Sequence, residues 1–203
     1  NSFIFEGEGD CGTYYNISFK YDYNMKFADA FSREVKSVSL FVFDNNGKLV
    51  ESHTVNDAEA IAAEEFSIPL ELEAGSYELL AWAGLMNEES FSLMADVKEG
   101  VTTIEQMQVM MNSTDGKMSE DLKPLFHGTM PLEVTSEPGT YNETMALMKD
   151  TNVVRIVLQQ MSDGVVADKF RYEITADNGM PDWNNDVIEG NDVLYEPWSV
   201  TSG

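Results

Sequence analysis

An all-β fold is the architecture this sequence predicts. Short apolar runs with a period of two recur along the chain, and clusters of Asn, Asp, Gly and Pro separate them. No stretch sustains the 3.6-residue period of a helix. Short strands at turn-marked intervals pack as a sandwich, each sheet hiding one face against the other.

The first strand is read in residues 14–21. Tyr15, Ile17, Phe19 and Tyr21 fall on one side, and Asn16, Ser18, Lys20 and Asp22 on the other. The run VKSVSLFVF places Val38, Leu40 and Val42 on one face and Phe41 and Phe43 on the other, which predicts a strand covered on both faces. Between the two, DYNMKFADAF is too short for a self-sustaining helix and reads as a crossover pinned by Tyr23, Phe27 and Phe31. Asp44, Asn45, Asn46 and Gly47 tolerate positive φ and turn the chain into a hairpin with Lys48, Leu49 and Val50.

Phe66, Ile68, Leu70 and Leu72 alternate with Ser67, Pro69, Glu71 and Glu73. Pro69 has no amide proton to give, so this strand belongs at a sheet edge. Tyr77, Leu79, Ala81 and Ala83 oppose Leu80 and Trp82, the pattern of a central strand. Residues 104–111 read as a strand with Met107, Val109 and Met111 on one side. Phe126, Gly128, Met130, Leu132 and Val134 alternate with polar positions, and Pro131 marks this run as a second candidate edge. The proline-glycine cluster at 136–140 reads as a domain boundary, giving a flexible lead at 1–12, a first sandwich at 13–137 and a second unit at 141–203. In the second unit, Val154, Ile156 and Leu158 face one way, Phe170, Tyr172 and Ile174 form the next strand after a turn at 162–164, and a weak strand lies at 193–195. A region of about sixty residues falls short of the ~100 that a sandwich uses, so the second sandwich is expected to be incomplete.

Twelve Lys+Arg against thirty-six Asp+Glu give a formal net charge of −24. Such a surface repels phosphate backbones, which excludes nucleic acid as a partner. The single cysteine, Cys11, permits no intrachain disulfide, and the acidic residues before it oppose thiolate formation. No run approaches the ~20 apolar residues of a membrane span.

Chemistry-bearing constellations are missing from the sequence. His53 and His127 sit within strand patterns without metal-spaced companions, and no GxSxG elbow or phosphate-binding loop occurs. The oxygen-rich stretches at 112–121 and 177–186 lack the spacing of a calcium loop and read as turns. The expectation is a non-enzymatic chain with no catalytic residue, no cofactor and no metal.

The run YDYNMKFADAFSREVKSVSLFVFDNNGK, followed in order by GSYELLAWAG, LFHGTMPLEV and LMKDTNVVRIVLQQ, resembles the FimB/Mfa-type fimbrial anchor proteins of Bacteroidales. The resemblance spans the chain. It implies two tandem transthyretin-like Greek-key sandwiches and a lipoprotein held at the outer membrane through a lipidated cysteine upstream of Asn1. It further implies a structural role in which fimbrial shaft subunits join by strand complementation. An open edge offers free amides and carbonyls to such a strand. The candidate edges are Phe126, Gly128, Met130 and Leu132 on one strand and Phe66, Ile68 and Leu70 on another. The alternative is an adhesin that binds host glycan or protein through the loops at 87–99 and 112–124.

Overall fold

The computed structural model describes residues 12–22, 28–85, 90–159 and 170–201. The acidic lead with Cys11, the crossover residues Tyr23 and Phe27, and the turn at 162–164 lie outside the described residues.

Two sheets face each other, as the alternation requires. The smaller has three strands. β1 (Thr13–Lys20) is its middle strand, flanked by β10 (Gly139–Ala146), which runs parallel, and β4 (Ile68–Glu71), which runs antiparallel. The larger sheet has the order β11 (Met148–Lys149), β9 (Phe126–Val134), β5 (Gly75–Ala83), β2 (Val38–Asp44) and β3 (Leu49–Val55). Between the sheets lies the first core, where Ile17, Val38, Leu40, Val42, Leu79, Ala81 and Met145 are fully buried. Phe31, in the four-residue helix α1 (Phe31–Glu34), stacks on Phe19 and Phe66 and closes one end of this core.

A second core covers the opposite face of the large sheet. Phe41 and Phe43 from β2 and Leu80 and Trp82 from β5 pack there with Met107, Val109, Met111 and Leu125. β2 and β5 are therefore apolar on both faces because both faces are covered, as their sequences predict. The cover consists of β6 (Phe91–Leu93), β7 (Val109–Met111), and a small sheet of β12 (Ile174–Asp177), β13 (Asp192–Tyr195) and β8 (Lys117–Met118). The β2–β3 hairpin forms as expected. Asp44 Oδ1 accepts from the amides of Asn46 and Lys48, and Gly47 takes φ +74°.

Two expectations are corrected, and strand pairing reaches across the cluster at 136–140: β10 begins there and pairs along its whole length with β1, from Thr13–Gly139 to Lys20–Ala146. Pro and Gly mark a change of direction, and a crossover between sheets uses the same residues as a linker. Residues 104–106 form a 3₁₀ turn with a Thr103–Gln106 capping box, so the strand at 104–111 shrinks to β7. Val154, Ile156 and Leu158 pair with no strand among the described residues and stand exposed, at 68%, 53% and 42%. Their alternation is strand-like, but a sheet needs a neighbour as well as a pattern. The weak strand expected at 193–195 is β13, and Val193 anchors it in the second core.

Candidate functional site

The rims of the two sheets are where another chain's backbone can add. β3 is sealed along its first half. Leu49 N donates to Thr102 O at 2.8 Å, Gly100 N donates to Leu49 O at 2.7 Å, and Lys48 bridges Thr103. β4 is a rim, but it is only four residues long and Pro69 removes a donor from it. Ile68 and Leu70 point into the first core and Phe66 packs against it, so this rim offers backbone and little side chain.

The other flank is different. β10 is eight residues long, contains no proline, and has no strand on its outer side among the described residues. It faces β9 across the sandwich. β9 is paired on its outer side only at Phe126 and His127, through the two residues of β11. From Gly128 onward that side of β9 has no strand neighbour among the described residues. β9 and β10 are thus the two lips of one open flank.

The predicted edge residues on β9 divide along this flank. Phe126 is closed off: it is buried, packs edge-on to Tyr21 at 5.0 Å, and lies under Lys149 Nζ at 5.7 Å. Gly128 marks the point where β9 and the β10–β11 crossover meet, since a Cβ there would sit 2.6 Å from Ala146 O. Met130 is half-buried at the open part, Tyr141 on the opposite lip is half-buried too, and both pack against the first core, into which Leu132 points. Tyr141 stacks on Tyr15 at 4.9 Å, and the Tyr15 hydroxyl donates to Glu133 O and accepts from Thr135 N, which ties the lips together at the far end.

Sequence reading missed β10. Its only inward apolar residues are Tyr141 and Met145, four apart, and the rest is Gly, Thr, Asn, Glu and Ala. An edge strand with a solvated outer surface carries little alternation for sequence to reveal.

Two other features lie beyond the rims. A polar cleft of about 500 Å³ is lined by Ser90, Asn112, Lys117, Met118, Glu120 and Lys123, among others, so the two loops considered for ligand binding meet in it. Second, His127 is not on a solvated side of β9 but buried, because the loop at 181–187 covers that face. Burial lowers its pKa, while its contact with Trp183 O at 2.7 Å opposes that shift. Beyond β11, burial pushes the Asp150 carboxyl up to about 7, opposed by a hydrogen bond from Asn185. No group of three His, Cys, Asp or Glu side chains placed to hold a metal occurs among the described residues. No helix among them is long and apolar enough to cross a membrane.

Comparison with known proteins places this geometry. The sequence profile of the fimbrillin-A associated anchor proteins Mfa1 and Mfa2 matches residues 8–203. The minor fimbrium anchoring subunit Mfa2 of Porphyromonas gingivalis is 22% identical over 199 residues, which are 95% of this chain and 59% of that protein. The chain thus spans about three fifths of that relative's length. Among solved structures, a candidate adhesin from Bacteroides thetaiotaomicron superposes with a TM-score of 0.83 at 32% identity, covering 95% of this chain and 64% of that one. A candidate polysaccharide-binding protein from the same organism gives a TM-score of 0.84 at 27% identity, covering 92% and 66%. The Mfa2 anchor structure from P. gingivalis shares the fold, with a TM-score of 0.71 at 17% identity and coverage of 91% and 66%. With a profile match over nearly its whole length, on a sandwich shared with these structures, the chain belongs to the fimbrillin-A associated anchor protein family.

Proposed function

We propose that this chain is an anchoring subunit of a cell-surface fimbria and joins shaft subunits by strand addition at the flank between β9 and β10. Family membership supports the anchoring role. The observation that carries the joint is the eight-residue outer side of β10, without a strand partner among the described residues, opposite the free part of β9. A strand laid along β10 would gain backbone hydrogen bonds over its length, and its alternate side chains would meet Met130 and Tyr141. Many modest bonds broken together make such a joint slow to open.

In this reading the outer-membrane tether is a lipidated cysteine upstream of Asn1. The exposed apolar positions at 153–158, with Phe170, begin a second sandwich. Photocrosslinking tests the joint. A benzophenone side chain at Asn142 or Met130 should capture the shaft subunit, whereas one at His53 on the far rim should not. Capture from His53 alone would move the joint to the wrong side of the molecule. Loss of the lipidated cysteine should release fibres into the medium, and fibres that stay cell-bound would count against anchoring.

The adhesin alternative rests on the cleft, where hydroxyl, amide, carboxylate and ammonium groups from both candidate loops converge. No aromatic ring is among its described lining residues, so these offer sugar stacking no platform. Glycan-array binding lost on Lys117→Ala together with Lys123→Ala, without crosslinks at the flank, would favour that reading.

A further inference from the structure

The loop at 181–187 is held to the molecule in two ways. Its base is fixed by backbone bonds, from Val109 N to Pro181 O and from Met111 N to Gly179 O. Its tip is fixed to the large sheet by two side-chain bonds, each involving a titratable group. His127 Nε2–H donates to Trp183 O at 2.7 Å, and Asn185 Nδ2 donates to Asp150 Oδ1 at 2.9 Å. Trp183 packs against the second core, which includes Trp82, and the Trp82 indole lies 6.0 Å from the His127 ring.

Asp150 is oddly placed for a carboxylate. Its second oxygen, Oδ2, is shielded from solvent and has no hydrogen-bond partner among the described residues. The charged groups around it are already engaged or carry the wrong sign. Lys149, its neighbour, pairs with Glu34 at 2.9 Å and lies over Phe126. On the loop, Asp182 accepts from the amides of Asn184 and Asp186, and Asp186 accepts from Asn184 Nδ2. On β9, burial holds His127 towards its neutral form. An ionised carboxyl here would lose its hydration and gain no counter-charge, whereas the neutral acid suits the site.

We propose that Asp150 is a proton-operated clasp for the loop tip. Neutral, it allows Asn185 and Trp183 to close over the Trp82–His127 end of the sheet. Ionised, it favours a state in which the tip lifts and the carboxylate is hydrated, while the base stays pinned to β7. The direction follows from linkage. Between the ordinary carboxyl value of 3.8 and about 7, the closed state keeps a proton that the open state releases. The opening equilibrium therefore rises by on the order of tenfold per pH unit across that window and levels off above it. The clasp does not depend on the joint at the flank.

Hydrogen exchange across 181–187, corrected for the intrinsic rate at each pH, tests it in the intact chain. Opening should climb by about tenfold per unit from pH 5 to pH 7 and flatten by pH 8. Asp150→Asn, which keeps an acceptor for Asn185, should hold opening low at every pH, and His127→Gln should keep the climb. A flat profile in the native chain would overturn the proposal whatever the variants do. So would a climb that survives Asp150→Asn or disappears in His127→Gln.

Discussion

Gly84 shows how much one atom can decide. It ends β5 at φ +101°, and a Cβ there would sit 2.1 Å from Pro124 O, a backbone atom that cannot swing away. Its amide donates to Ser37, which fixes the position from the other side. Gly84→Ala should therefore lower stability by about 2–4 kcal/mol, read as a lower urea midpoint at unchanged slope. A loss below the error of the measurement would mean that the β5 end and the 122–125 segment can separate freely. Asp150 acts at the same scale with the opposite consequence. Its raised carboxyl favours the folded chain below about pH 4, and that contribution fades as pH rises to about 7. Asp150→Asn should match the native chain or fall slightly below it at pH 4, and exceed it by about 1–3 kcal/mol at pH 8. Equal pH profiles of urea midpoint for the two proteins would refute this.

At the scale of elements, the large sheet separates two cores that share no side chain. Ile17 is buried in the first and Met107 in the second. Each substitution to Ala should cost about 2–5 kcal/mol. The double variant should lose the sum to within about 0.5 kcal/mol, since the residues lie on opposite sides of the sheet. A strongly non-additive double variant would show that the sheet transmits strain between its faces. The same two-sidedness governs what was legible in the sequence. β2 and β5 were readable because Phe41, Phe43, Leu80 and Trp82 break a one-sided alternation, and only burial on both faces explains that. β4 was readable as a rim through Pro69. β10 was not, because its outer surface is polar and its parallel partner lies more than a hundred residues upstream. The burial of His127 was not legible for a related reason. Alternation tells which side of β9 it occupies, but not that a loop some 55 residues later covers that side. Of the two strands that border the open flank, β9 was legible in the alternation at 126–134 and β10 was not.

For the molecule as a whole, charge is the dominant long-range term. Thirty-six acidic and twelve basic side chains leave an excess that the sparse, mostly exposed ion pairs hardly offset. Screening should relieve this self-repulsion. Raising NaCl from 10 to 500 mM should increase unfolding free energy by about 1 kcal/mol, measured in urea at constant pH. A decrease would mean that attractive pairs outweigh the net field. The same excess keeps free copies apart, which suits a chain whose β10 has no strand on its outer side among the described residues.

β1 lies in the middle of its sheet, yet one of its two neighbours is β10, and Thr13 pairs with Gly139. During synthesis, a ribosome must therefore add well over a hundred residues before that seat exists. Until then Tyr15, Ile17 and Phe19 have a partner on one side at most, and the emerging chain offers a sticky ribbon to anything nearby. Such a protein should depend on being kept extended by a holding factor until its last strands arrive, and should clump when it is made faster than that factor can serve it.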